Sequence, residues 1–425
     1  MSIRKLQFYF LAGIFLNSSW VFGQAAKSPF SSFGLGEQYG NAITHNQGMG
    51  GTGISNPQFW FINNMNPALL VFNRFSSFQA GLIGEQRTQS SDTQQGKSGN
   101  GNLNYLVLSL PIKPGKWTSA IALMPYTRLN YEYKHTEPIQ GTTTNTVDVT
   151  ESGTGGINQF TWSNGVTITK SISVGLKAAY LFSSTTSEYN SIVTQTNQPL
   201  VIYPNVVDRT FVSDFKFSPA LSIHLDSLFK NDYRLNIGVV YDLKTNLNSK
   251  FNQRLERWGP KGRIDSLTLI NNQSGIITIP SSIAVGISFG YSHKWTVALD
   301  GSYTDYSQYR DLSGKNPYGT NDWKVNAGFE LTPDIASLSN YLKRITYRTG
   351  VSLENYAYLV NGNAVKDFGI TFGLSVPVGR ISFLDLGLKV GKKGDKVLNT
   401  VEENYIKFYF GMTLNDQWFI KRRFD

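Results

Sequence analysis

Long stretches of this chain alternate apolar and polar side chains with a period of two. Phe368, Ile370, Phe372, Leu374, Val376 and Val378 alternate with Gly369, Thr371, Gly373, Ser375 and Pro377. Ile283 to Tyr291, Leu235 to Leu243, Leu384 to Val390 and Ile406 to Leu414 repeat the pattern. A strand turns successive side chains to opposite faces, so each run predicts a strand with two different faces. The polar faces are mostly Gly, Ser, Thr and Ala, small enough to crowd a lumen. The apolar faces run about five residues deep, the depth that carries a tilted strand across a hydrocarbon layer. A soluble β-sandwich also alternates, so alternation needs a second signal beside it.

The connections supply that signal. The alternation test gives about fourteen strands after residue 74. Short links fall at Lys113–Lys116, Lys170–Ser171, Asp226–Asp232, Ser292–Lys294 and Gly379–Arg380, with a somewhat longer one at Asp334–Arg344. Long links fall near 87–101, 134–158, 189–205, 250–278, 308–321, 357–366 and 392–403. Short and long take turns, as in membrane barrels with tight periplasmic turns and long outer loops. A soluble sandwich has no reason to sort its links by parity. The expected fold is all-β: a closed antiparallel transmembrane β-barrel of about fourteen strands.

Composition agrees. Apolar residues make up 40% of the 425 and charged residues only 16%, with 40 Gly, 27 Phe, 22 Tyr and 8 Trp. That mixture suits a wall with one face in lipid, aromatic girdles and a small-residue lumen. Arg4 and Lys5, the apolar stretch Leu6 to Leu16, and Val21-Phe22-Gly23 before Gln24 have the layout of a cleaved secretory signal. Beyond it no run of about 18 apolar residues could form a spanning helix. An exported chain without helical spans is soluble in the periplasm, secreted or a barrel, and the strand pattern decides for a barrel in the outer membrane of a Gram-negative bacterium. The domain reading is a signal peptide over 1–23, an N-terminal plug over 24–74, the barrel over 75–414 and a periplasmic tail over 415–425, with Trp418-Phe419 an interfacial anchor before Lys421-Arg422-Arg423. The plug reading rests on a glycine-rich, aromatic segment too apolar for a disordered lead, and on a lumen that would stay open unless filled.

Other chemistry is set aside. The chain has no cysteine, so disulfides, thiol catalysis and cysteine-held metals are excluded. The net charge of +10 is scattered rather than gathered into a nucleic-acid patch. Gly48 to Gly53 spells G-x-G-x-x-G, but Asn56-Pro57 follows where a dinucleotide site needs a helix. His45, His135, His224 and His293 have no metal-ligand spacing among them, and no cofactor is expected. Ser222, His224 and Asp226 could suggest a lipase, but they approach a turn where polar groups are expected. No enzyme activity is expected. Asp242, Lys244, Asp300, Arg348 and Glu354 fall on polar faces and read as lumen charges holding plug and wall together.

The chain resembles the FadL-type outer-membrane transporters of long-chain fatty acids and other hydrophobic compounds. The resemblance runs through Ser32-Phe33-Gly34-Leu35-Gly36, Asn66-Pro67-Ala68, Ile279-Pro280, Trp295, Asp300, Tyr303 to Tyr306 and Tyr347-Arg348-Thr349-Gly350. It implies that Asn66, Pro67 and Ala68 form the plug's characteristic element. It also implies a kinked third strand that opens the wall beside the plug, so a hydrophobic ligand leaves sideways into the membrane. Met124-Pro125-Tyr126 lies in the third strand by count, and a proline cannot donate to the ladder. The implied function is passive uptake of hydrophobic compounds, with Phe59, Trp60 and Phe61 as candidate ligand-lining residues and membrane lipid and a hydrophobic small molecule as partners. FadL-like barrels also occur in the type IX secretion system, so the alternative is a non-transporting partner of an outer-membrane secretion component.

Overall fold

The computed structural model describes residues 26–139, 146–195, 198–199, 202–228, 233–291, 294–379 and 381–416. The expected signal peptide lies outside the described residues, as does the expected tail beyond Asp416. The strands are β1 (Glu37–Gln38), β2 (Ser76–Ser90), β3 (Gln95–Lys113), β4 (Trp117–Pro125), β5 (Thr127–Pro138), β6 (Thr146–Gly155) and β7 (Ile157–Thr169). They continue with β8 (Ile172–Gln195), β9 (Gln198–Pro199), β10 (Tyr203–Leu228), β11 (Tyr233–Asp242), β12 (Thr245–Gly259) and β13 (Gly262–Ile279). The last are β14 (Ser282–Tyr291), β15 (Trp295–Thr304), β16 (Asp322–Leu331), β17 (Thr346–Val360), β18 (Asn363–Val378), β19 (Ser382–Gly394) and β20 (Glu402–Asp416).

Antiparallel ladders join β2, β3, β4, β7, β8, β10, β11 and β14 through β20 in that order. β20 returns to β2 from Ser76↔Asp416 to Ser90↔Glu402, which closes a ring of 14 strands. Alternation decides which side chains face out. Phe372 is 53% exposed and Phe408 58%, and every ring strand carries exposed apolar side chains. The intervening positions turn Ser109, Thr161, Ser173, Ser288, Thr371 and Ser375 inward and buried. A closed ring that is apolar all round belongs in hydrocarbon, where it leaves no strand edge unpaired.

The expected long links are largely strand. β8 and β10 have 24 and 26 residues, against the about 9–11 that cross a tilted bilayer. Their excess rises beyond the ring, where β6 joins β8 and β12 joins β10. The result is a one-sided sheet in the order β5-β6-β8-β10-β12-β13.

Residues 26–75 run through the barrel. Their backbone lies against glycines of β7, β8, β11, β16, β17 and β18 and accepts from Ser288 of β14, and only a segment inside the ring reaches strands on all those sides. Ile43, Ile62 and Leu70 pack there against Tyr105, Val107, Ala120, Ala122 and Met124 of the wall.

Candidate functional site

Asn66-Pro67-Ala68 starts a short 3-10 helix, Pro67–Phe72. Proline suits the first position of such a helix because it has no N–H to satisfy there. The Asn66 side chain caps the turn, its carbonyl oxygen accepting from the Ala68 N–H at 2.9 Å. Its amide nitrogen donates to Ile54 O at 2.7 Å, tying the turn to the Gly48–Gly53 run. The wall makes room with glycines. A Cβ on Gly165 would collide with Pro67 O, on Gly175 with the Ala68 N–H, on Gly238 with Ile54 O, and on Gly350 with Gly50 N. The small inner residues therefore let backbone lie against backbone.

Asp300 of β15 fixes the glycine run. Its Oδ2 accepts from the N–H groups of Gly53 at 2.7 Å and Ile54 at 2.9 Å. Thr371 adds Gly50 N to Oγ1 at 2.8 Å and donates to Gly48 O at 3.2 Å. Toward the long-loop end, Arg87 of β2 donates to Glu37 at 2.8 Å, Glu85 at 3.0 Å and Glu403 at 3.2 Å. Lys393 adds a contact to Glu37 at 3.4 Å. Burial pushes the Glu37 carboxyl up, but Arg87, Lys393 and Lys407 outweigh it and hold it well below its ordinary value. Burial, with help from Arg348, holds the His45 imidazole well below its ordinary value, so it is neutral.

The wall changes its pairing at Pro125. The β3–β4 ladder runs from Lys113↔Trp117 to Leu106↔Leu123. Above it, no ladder joins β3 to β5 among the described residues. The chain bends at Tyr126 and turns inward, where Tyr126 O accepts from Tyr39 N at 3.1 Å. β5 then pairs with β1 of the N-terminal segment, Gln38↔Thr127 and Glu37↔Arg128, and with β6 on its other side. Gly155 (φ 115) and Gly156 (φ 140) carry the returning chain, where a Cβ would strike Ser184 O and Thr127 O. Residue 27 lies between the parted strands. Its carbonyl accepts from Ser98 Oγ of β3 at 3.0 Å, and its ammonium pairs with Glu132 of β5.

Two cavities flank the N-terminal segment. One of about 520 Å³ lies at the long-loop end against β5, lined by Leu35, Leu129, Ile157, Val212, Ile277 and Leu312 among others. The second, about 850 Å³, opens at the short-turn end and includes Phe59, Trp60 and Phe61 in its lining. Those three rings also form a pin. Trp60 stacks on Phe75 at 5.3 Å, Phe61 lies 5.1 Å from Phe383 and 4.7 Å from His45, and Phe59 meets Trp60 edge-on at 4.8 Å.

The structure brings Met124 to the N-terminal segment, where its sulfur lies 3.0 Å from the Asn64 amide nitrogen. Tyr126 turns its ring to Lys216, 5.1 Å from the centroid. Phe59, Trp60 and Phe61 sit at the opposite end from this bend. Of the expected lumen charges, Asp300 reaches the N-terminal backbone and Arg348 lies 5.2 Å over the Phe61 ring while pairing with Glu330. Asp242 pairs with Lys216 at 2.8 Å and Glu354 with Lys324 at 3.3 Å, both within the wall. Lys244 is exposed just past the end of β11. Sequence reasoning missed the Arg87 cluster, because Arg87 was assigned to a long link. Among the described residues no group of three or more His, Asp or Glu could hold a metal.

A family model described as BamG matches residues 2–425. A search of curated proteins finds no match. Among solved structures, the chain is similar to the CymD monoaromatic hydrocarbon channel, with a TM-score of 0.54 at 15% identity, covering 91% of this chain and 99% of that one. The Pseudomonas putida toluene transporter TodX gives 0.56 at 16%, covering 90% and 98%. A Pseudomonas aeruginosa FadL homologue gives 0.55 at 11%, covering 89% and 98%. At these identities the likeness establishes the fold. The FadL-type resemblance is thus one of architecture, while the family match is to a different family. The similar structures are named as transport channels rather than enzymes.

Proposed function

The chain belongs to the BamG family and has the fold of hydrocarbon channels, and from that premise we propose that it is an outer-membrane channel for passive uptake of hydrophobic compounds such as long-chain fatty acids. The observation that carries the proposal is the parting of β3 from β5 at Pro125, beside a cavity bounded by β5. A ligand would enter from the long-loop end and settle among Leu35, Leu129, Ile157, Val212 and Ile277. The cavity falls within the range of about 300–1,000 Å³ common to small-molecule sites. Burying roughly 200 Å² of apolar ligand surface there would supply about 5 kcal/mol. Release would follow when residue 27 leaves Ser98 and Glu132, opening a sideways path into the membrane.

The aromatic trio lines the second cavity at the far end, away from the bend, and pins the segment to Phe75 and Phe383 there. The test is uptake of a radiolabelled long-chain fatty acid by cells carrying the wild-type barrel or Pro125→Val. The proline imposes the bend, so Val should lower uptake severalfold at unchanged barrel yield. Unchanged uptake would sink the proposal.

A second reading, a partner role in an outer-membrane complex, draws on a different observation. The outer wall from β16 through β20 to β3 holds an apolar concavity of about 1140 Å³, including Leu82, Leu103, Phe372, Phe408 and Phe410. Another membrane-embedded wall could seat there. Stable co-purification with a large envelope protein, lost on Phe372→Ala with Phe408→Ala, would favour it.

A further inference from the structure

Closed barrels abolish strand edges, yet this molecule builds one outside its ring. Among the described strands β13 pairs with β12 alone, from Thr245↔Ile279 at the base to Gly259↔Gly262 at the tip. Its other edge is closed only at the base, by the Thr278↔Arg310 bridge and by Leu312 against Gly275. The lower part is also irregular, with register shifts at Phe251–Gln253–Arg254 opposite Asn272, whose φ is 50. Above that, Arg263–Ile270 has no strand beside it among the described residues; Asp265–Thr268 pairs regularly with β12, and the register shifts on either side of it, at Ile264 and at Leu269.

The edge has a register shift near each end but carries neither a proline nor an unpaired charge. Native proteins blunt exposed edges with prolines, bulges and unpaired charges. Ile264 is 54% exposed, Leu267 61% and Leu269 48%. The Ile264–Ile270 stretch has one charge, Asp265, and Arg257 of β12 neutralises it. High β-propensity, exposed apolar side chains and low charge together make a template for strand addition.

Charge and symmetry select the occupant. From Lys250 to Asp265 the hairpin carries five cationic residues and two acidic ones. Glu256 is held by Arg254 at 3.0 Å and Arg263 at 3.0 Å. That leaves Lys250 and Lys261 exposed with no acidic partner among the described residues. A second copy fits poorly. Two barrels in one membrane run every strand in the same direction, so their β13 edges would pair in parallel. A twofold axis along the membrane normal would set each residue opposite itself, both aiming the same groups across. In a parallel ladder a bonding residue instead faces one whose groups point away, so the symmetric dimer cannot form.

We infer that the β13 edge, Arg263–Ile270, docks an extended, acidic and apolar segment of a different polypeptide by strand addition on the long-loop side. The backbone ladder supplies binding, Leu267 and Leu269 meet its apolar side chains, and Lys261 at the tip meets its carboxylates. The inference stands apart from the transport reading, because neither the cavity nor the Pro125 bend takes part.

The probe is a synthetic ten-residue peptide alternating Val and Glu, with a Val–Lys peptide as control, titrated onto the purified full barrel in detergent. The Val–Glu peptide should bind, and amides of residues 264–270 should exchange at least tenfold more slowly when it is present. Leu267→Asp with Leu269→Asp, both at exposed positions, should weaken binding at least tenfold without disturbing the folded-barrel band on unheated gels. Equal binding of the two peptides, equal binding to the double variant, or unchanged amide exchange would each overturn the inference. So would a dimer in sedimentation that the double variant abolishes.

Discussion

Replacing Asp300 with Ala should unseat the glycine run while leaving the barrel closed. Asp300 is 4% exposed, and its Oδ2 is the acceptor for two buried N–H groups, those of Gly53 and Ile54. Removing the acceptor strands both donors. Each buried donor left unsatisfied costs about 1–3 kcal/mol, so the local penalty is roughly 2–6 kcal/mol. Taking about 4 kcal/mol and a factor of ten per about 1.4 kcal/mol, opening of residues 48–56 should become on the order of a thousandfold more frequent. Asp300→Asn keeps an oxygen for both donors but loses the charge, which roughly halves each bond. Its effect should be about 1–2 kcal/mol, or roughly tenfold. The assay is amide exchange read by mass spectrometry on the intact barrel in detergent, with peptides from the strand ladder as internal reference. Exchange of residues 48–56 within threefold of wild type in the alanine variant would refute the reasoning. Equal effects of Asn and Ala would show that shape, rather than the acceptor, seats the segment.

Two further outcomes follow from the same contacts. Gly175→Val puts a side chain where the Ala68 N–H lies against β8, so protease cleavage near residues 66–72 should rise at least tenfold with the strands intact; an unchanged digest would contradict the close approach. The buried His45 imidazole titrates well below its ordinary value, so the seated segment binds fewer protons than the released one. The stabilisation it confers is therefore full above about pH 6.5 and is lost as pH falls below it, by up to about 1.4 kcal/mol per unit. Protection of residues 43–53, corrected for intrinsic exchange, should decline from pH 7 to 5, and His45→Gln should flatten that decline. Glu37 is held below its ordinary value and should stay ionised across this window.

The ring was legible because period-two alternation leaves no freedom over which face meets lipid: Phe372 and Phe408 point out because Gly373 and Tyr409 point in. The pairing at Pro125 had a local signal in the missing N–H. The rising sheet had none. Consecutive residues from Arg263 to Leu269 are all exposed, so the two faces need not differ and the strand signal disappears. The region 250–278 therefore read as a loop although it forms a hairpin. The Arg87 cluster was hidden for another reason. Glu37, Arg87, Lys393 and Glu403 are brought together only by closure of the ring and entry of the N-terminal segment. Lys244 continues the alternation of β11, but the strand ends at Asp242 and the residue beyond it is exposed. Phe59, Trp60 and Phe61 announced burial by composition, whereas their place at the short-turn end depends on how the segment threads the lumen.

The proposal that ligand leaves through the parted wall is tested most directly by pinning it. The chain has no cysteine of its own, so Lys27→Cys with Ser98→Cys introduces a single candidate pair where the segment meets β3. Uptake of a radiolabelled long-chain fatty acid would be measured in cells with the pair oxidised and then reduced. The account predicts that oxidation abolishes uptake above the level of cells lacking the barrel, that reduction restores it, and that neither single variant takes up less than wild type. Equal uptake in the oxidised and reduced states would contradict it.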